Sequence, residues 1–254
     1  GIDNLNNYYD PKIKKQRIQI LKKFKKFKFL KINIQNQKNF EKLKKFKIDI
    51  IYHLAAQAGV RYSFYNPRSY IQSNINGFFN ILEFARLNKI KKIFFASSSS
   101  VYGDKKKFPI DEKSETNPTS LYGLTKKNNE EIAKIYSESY NLHMIGLRFF
   151  TVFGEYGRPD MFLMKFLNAY KNNQVFYLNN YGNHIRDFTY IDDVINIILK
   201  IKFKKKFEVY NICSNKPVSL SNVINLFKKN GITPYIKKRK FQLGDVVKTH
   251  GSNK

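Results

Sequence analysis

Tyr122 and Lys126 stand four residues apart in the stretch SLYGLTK, Ser120 to Lys126, after a proline-containing loop and at the head of a charged run with helical character. In a helix, positions i and i+4 share one face, so a phenol and an ammonium at this spacing can converge on one reactant. A nearby cation favours the phenolate, and a phenol of lowered pKa is a general base. The spacing alone decides nothing, because a chain with 17 tyrosines and 47 lysines plus arginines produces it by chance. Its meaning depends on what the rest of the chain places around it.

Hydropathy shows the elements that must do this placing. Short apolar runs alternate with longer amphipathic stretches, the pattern of a parallel sheet with crossover helices. KFKFLKINI reads as a strand, NQKNFEKLKKF as a helix, and IDIIYHLAA as a buried strand ending in small residues. NPRSYIQSNINGFFNILEFARLNK reads as one long helix with Ile71, Ile75, Phe78, Phe79, Leu82 and Ala85 on its apolar face. The strand IKKIFFASSSS follows, then a loop over Asp104 to Thr119, a helix from about Leu121 to Tyr140, and the strand LHMIGLRFF. Such repeats predict an α/β fold with a doubly wound, Rossmann-type parallel sheet.

Ligands of these sheets bind beyond the carboxyl ends of the strands. Here those ends are Asp3, His53 to Gln57, Ala96 to Ser100 and Arg148 to Gly154. Small and hydroxylated residues gather at them, as a dinucleotide and a polar substrate require. From about Glu155 the alternation loosens. The expected division is a cofactor domain over 1–154, with 183–212 returning to it, and a smaller substrate lobe made of 155–182 and 213–254.

Composition narrows the classes. A length of 254 residues with 42% hydrophobic content suits one large or two joined domains with a sizeable core. The single cysteine, Cys213, excludes an internal disulfide framework, and no apolar stretch reaches a membrane span. The expectation is a soluble cytoplasmic protein with no membrane partner. The chain opens on GIDNLNNYYD without a methionine, so its N-terminus is expected to be missing. The formal charge of +28 raises nucleic acid as a partner. Much of it lies in runs such as LKKFKKFKFLKI, KLKKFK and KIKFKKKF, which read as solvated helix faces and strand ends, and no compact arginine-rich patch or recognised binding motif supports specific nucleic-acid binding. Basicity would still attract a polyanionic substrate. His53, His143, His184 and His250 have no metal-ligand spacing, so no metal is implied.

GIDNLNNYYDP, HLAAQAGVRYS, ASSSSVYG, YGLTK, GRPDM and RDFTYIDDV occur in the order seen in extended short-chain dehydrogenase/reductases. The resemblance covers the chain to about Thr249. AAQAGVRYS with GRPDM resembles the UDP-glucuronate 4-epimerase subgroup, whereas Tyr-x-x-x-Lys marks only the superfamily. The family opens with a strand, a glycine-rich turn and a helix that cradle pyrophosphate. GID resembles the second strand, so that unit, and further C-terminal helices, are expected to be absent from these 254 residues.

The resemblance implies NAD, with Asp3 on the adenosine ribose, where a carboxylate repels the extra phosphate of NADP. Leu54, Ala55 and Ala56 would line the nucleotide channel, Asn74 would offer a hydrogen bond, and Asn4 and Phe149 would join the cofactor-binding set. Ser98, Tyr122 and Lys126 would carry the chemistry, the phenol lowered by Lys126 and by the nicotinamide charge. Ser99, Ser100 and Thr151 would bind the sugar carboxylate, with Arg158 contributing charge. Arg186 would hold the diphosphate and Asp245 the uridine ribose. Related decarboxylases and dehydratases carry an acid in the segment matching SSSS, and this chain has none there. The implied activity is therefore C4 epimerisation of UDP-glucuronate by a homodimer. Another nucleotide-sugar epimerase, such as a UDP-glucose 4-epimerase, a decarboxylase or a dehydratase is the alternative. On sequence alone, Ala-Ala also reads as close packing, Asn74 as a solvated helix residue, and Arg186 with Asp187 as a plain ion pair.

Overall fold

Local signals set the first half of the chain. The computed structural model describes residues 1–254. β1 (Ile2–Asp3) leads to α1 (Pro11–Lys22), which starts on Asp10, whose side chain accepts from Lys12 N, with Pro11 in the first turn. β2 (Leu30–Lys31) pairs with β1 in parallel. Gln37–Leu43 forms a 3-10 stretch that buries Phe40 and Leu43, ahead of β3 (Ile50–His53). Two single turns, α2 (Tyr62–Tyr65) and α3 (Pro67–Tyr70), precede a π-helical segment, Ile71–Asn76, and α4 (Gly77–Leu87). Then come β4 (Lys92–Ser98), a 3-10 turn Ser99–Tyr102, α5 (Leu121–Tyr140) and β5 (His143–Phe149).

The second half runs through β6 (Thr151–Phe153), α6 (Phe162–Lys171), β7 (Phe176–Leu178), β8 (Ile185–Tyr190), α7 (Ile191–Lys200), β9 (Phe207–Ile212), β10 (Pro217–Ser219), α8 (Leu220–Lys229) and β11 (Ile236–Lys238). β3, β4, β5 and β9 form one parallel sheet in that order. β6 and β10 flank β8 in a small mixed sheet, and β11 pairs with β7. One core lies between the main sheet and α4 and α5, including Phe78, Leu82, Phe95, Ala133 and Met144. The opposite face is covered by Val194 and Ile198 of α7. No helix is long and apolar enough to cross a membrane.

Several sequence expectations shift. KFKFLKINI contributes only the two residues of β2, and NQKNFEKLKKF is a 3-10 stretch, not an α-helix. The long helix is interrupted at Ile71–Asn76, where an extra residue per turn rotates the apolar stripe. Ile71 and Phe79 are therefore exposed, while Ile81 and Phe84 are buried. β6 leaves the proposed cofactor domain for the small sheet, and 183–212 is split: β8 joins that sheet, while α7 and β9 serve the main one.

Candidate active site

The carboxyl ends of β1, β3, β4 and β5 open into one cleft of about 740 Å³. Of the residues assigned by resemblance, all line it except Asn74: Asp3, Asn4 and Leu54 to Ala56 on one side, Ser98 to Ser100, Tyr122, Lys126 and Phe149 in the middle, and Thr151, Arg158, Arg186 and Asp245 on the other.

The reactive centre is set by the start of α5. Ser120 caps the helix by accepting from Gly123 N at 3.1 Å, and Tyr122 and Lys126 emerge on the face toward β4. Gly123 permits the approach, because a Cβ there would stand 2.6 Å from Ser100 O. Ser98 Oγ accepts from Ser100 N at 3.1 Å, which leaves its own proton to donate to Tyr122. Burial pushes the Tyr122 phenol above its ordinary value, while the Ser98 hydrogen bond and the Arg158 charge pull it down.

The sequence reading gives that lowering to Lys126, whose ammonium stands over the Tyr122 ring. Lys126 is buried, its Nζ donates to Ala96 O at 2.8 Å, and it lies 6.0 Å from the Tyr122 ring centroid. Desolvation draws it down to about 8. Arg158 is a second cation that draws the phenol down. Arg158 is itself held by Asp160 through Nε at 2.9 Å and a terminal nitrogen at 2.8 Å, and Tyr8 donates to the same carboxylate at 3.0 Å. Its net charge toward a substrate is correspondingly smaller than a lone arginine would offer.

At the far side, Arg186 donates to the carbonyls of Ile185 and Val247, and burial draws it down to about 10. It forms no pair with its neighbour Asp187. That carboxylate is fully buried and accepts from Ser214 and from the backbone of Asn215 and Gly251. Asp245 is gripped by Arg61 through three contacts of 2.7 to 3.1 Å. Asn74 departs from its assignment. Its oxygen accepts from Gln57 N at 2.7 Å and its amide donates to Gln57 O and Thr125 Oγ1, so Asn74, the buried residue of the π-helical segment, holds the chain beyond β3 against α5.

The residues present suit a dinucleotide. Lys126 is a buried cation with one protein acceptor for three protons. Ala55 and Ala56 keep the channel beside it open, and at its end the half-exposed Asp3 is braced by Leu5 N at 2.6 Å and Lys14 at 3.6 Å. Asp3 would take the adenosine ribose and Lys126, with Tyr122, the nicotinamide end.

Sequence reasoning missed a buried pair behind the centre. Glu130 accepts from Arg148 at 2.9 and 2.7 Å and from Ser97 Oγ, while Arg148 also donates to Tyr102 at 2.9 Å and to Glu112 O at 3.0 Å. Glu130 continues the Tyr122, Lys126 face by one more four-residue step, a signal that was available. Tyr8 and Arg61 were also missed, since their partners lie far away in sequence, as was Asp160, although Arg158 stands only two positions from it.

A parallel α/β sheet with a Tyr-Lys pair at the head of a helix beside a serine strand end defines a dehydrogenase-type nucleotide site. The chain belongs to the NAD dependent epimerase/dehydratase family, whose profile residues 1–213 match. It is 48% identical over 259 residues to MJ1055 of Methanocaldococcus jannaschii, described as uncharacterized, covering 98% of this chain and 78% of that one. It is 39% identical over 277 residues to UDP-glucuronate 4-epimerase 4 of Arabidopsis thaliana, covering 99% of this chain and 62% of that one. The crystal structure of UDP-glucuronic acid 4-epimerase from Bacillus cereus with UDP-glucuronic acid and NAD superposes with a TM-score of 0.88 at 30% identity, covering 100% of this chain and 81% of that one.

Proposed function

We propose that the protein inverts C4 of UDP-glucuronate to give UDP-galacturonate, with NAD as a cofactor that is not consumed. The observation that carries this reading is Tyr122, set between Ser98 and the Arg158 charge and facing a strand end made of hydroxyls and no carboxylate. NAD supplies a reversible hydride acceptor for C4. Tyr122 takes the proton of the 4-hydroxyl, and Ser98 donates to the same oxygen as it becomes a carbonyl. The 4-keto sugar then presents its other face, where C4 would regain the hydride as Tyr122 returns the proton to its oxygen.

A C4 ketone lies β to the C6 carboxylate, and such keto acids lose carbon dioxide readily. Ser99, Ser100 and Thr151 are the donors that would hold the carboxylate in place, since Arg158 is already committed to Asp160. Arg186, with donors left over from its two carbonyls, suits the diphosphate. Proton NMR of UDP-glucuronate incubated with the protein and NAD tests the reading. The anomeric signal of UDP-galacturonate should appear, and Tyr122→Phe should lose it. A product without its carboxylate, or turnover of UDP-glucose alone, would sink the substrate assignment.

A further inference from the structure

The amino ends of the strands carry a feature that the chemistry at the carboxyl ends does not use. Chain segments return to the sheet through KKFKKFK (Lys22 to Lys28) before β2, KLKKFK (Lys42 to Lys47) before β3, KIKK (Lys89 to Lys92) at the start of β4, and KIKFKKK (Lys200 to Lys206) before β9. Every lysine in these four runs is exposed. Their strands are parallel and lead toward the cleft, so all four runs gather at the opposite end of the molecule.

Pairing makes the runs neighbours. Ile50 lies beside Lys92, Lys92 beside His143, and Met144 beside Phe207, while Lys28 and Lys45 stand 5.6 and 5.5 Å from the Phe46 ring centroid. Carboxylates within or beside the runs are few: Glu41 is paired with Lys44 at 2.7 Å, Glu208 accepts from the backbone of Lys204 and Lys205, and Asp49 stands before β3. Apolar side chains are exposed among the lysines. Leu21 is 42% exposed, Phe24 65%, Leu87 61% and Leu199 69%, each within two residues of a run or inside one.

We propose that this face docks the enzyme on an anionic membrane surface, lysines meeting lipid phosphates and the leucines and Phe24 entering the headgroup layer, with the cleft turned to solution. A fluid lipid surface supplies phosphate wherever a lysine stands and accepts apolar side chains beside it. Duplex nucleic acid favours arginine forks and a groove-shaped reader, and these runs contain no arginine. The sequence reading treats each run separately, as solvated ends with no membrane partner. The fold assembles them on one face, and the proposal is independent of which sugar is turned over.

Sedimentation with phosphatidylcholine vesicles containing phosphatidylglycerol, against phosphatidylcholine alone, tests it. The protein should bind the anionic vesicles at about 0.1 M salt and leave them by about 0.5 M, where the screening length falls to about 4 Å. Replacing Lys204, Lys205 and Lys206 with Gln should weaken partition by at least about tenfold, whereas the triple Lys→Arg variant retains it. Leu199→Ser should weaken it by about threefold, with urea midpoints of all variants confirming the fold. Equal binding to both vesicle types, no binding to the anionic vesicles at low salt, or retention of duplex DNA or RNA in place of vesicles would overturn the proposal.

Discussion

The two ends of the main sheet handle charge in opposite ways. At the carboxyl ends, several charges are held by partners: Arg158 with Asp160, Arg61 with Asp245, and the buried Lys126 aimed at a backbone carbonyl. At the amino ends, lysines are many, exposed and mostly without carboxylates. A basic composition suggests attraction of an anionic substrate, yet the dense runs lie at the end away from the cleft, and the cations at the site include arginines held by partners and the buried Lys126. The same side chain is thus a chemical tool where the fold desolvates it and a contact surface where the fold gathers it in water.

The largest effect expected at the cleft end comes from Tyr122→Phe. Removing the proton acceptor should lower turnover by about 10²- to 10⁴-fold while leaving UDP-sugar binding, read by calorimetry, within about twofold. A variant that turns over at the normal rate would remove the phenol from the mechanism. Next, Glu130→Ala leaves Arg148 buried without its countercharge, which should cost about 3–5 kcal/mol in urea unfolding. Its counterpart at the other end, Lys44→Ala against the exposed Glu41, should cost at most about 1 kcal/mol. Equal losses would erase the contrast between the two ends.

What the sequence made legible follows the same division. α5 is bounded as expected because Ser120 caps it and Asn141 closes it in the left-handed region at φ 53°, both local signals. β4 and β5 are legible because their apolar runs are long, and the strand-end serines because they interrupt those runs. The π-helical interruption at Ile71–Asn76 was not legible, since the apolar positions Ile71, Ile75 and Phe78 keep three- and four-residue spacings through it. The face that Glu130 shares with Tyr122 and Lys126 was legible, but its partner Arg148 and the Tyr8 contact to Asp160 were not. The Glu130 contact needs α5 laid across β5, and the Tyr8 contact to Asp160 joins residues 152 positions apart.

Lys126 gives a test in which stability and chemistry move in opposite directions. Its pKa is about 8 in the folded protein against an ordinary 10.5, so between those values the unfolded chain binds more protons and stability rises with pH. Below about pH 8 both states are charged and the burial penalty, about 3 kcal/mol, is fully present. Lys126→Met removes that penalty and loses a hydrogen bond worth about 1 kcal/mol, so a net gain of about 2 kcal/mol in urea unfolding is expected at pH 7, with activity lost. The gain should shrink as pH approaches 10.5. Lys204→Met, at the exposed end, should change stability by less than about 0.5 kcal/mol. A Lys126→Met protein no more stable than the parent would mean that the ammonium is solvated and not desolvated.

The last effect is the most local. In Gly123→Ala the new Cβ would stand 2.6 Å from Ser100 O and 3.0 Å from Pro118 Cβ, and the first contact is with backbone that cannot rotate away. Alanine otherwise favours a helix over glycine by about 1 kcal/mol, so α5 itself is not weakened. The strain should instead move the first turn of α5 a few tenths of an ångström from the serine turn, lengthening the contact between Ser98 and Tyr122. A displacement on that scale lowers turnover by about tenfold through misplacement of the proton acceptor, with KM for the sugar nucleotide little changed, because Arg186 and Asp245 sit on other elements. Steady-state kinetics separate the two parameters. A rise in KM at constant turnover would show that Gly123 serves substrate access, and that the close approach of α5 to the serine strand end is packing alone.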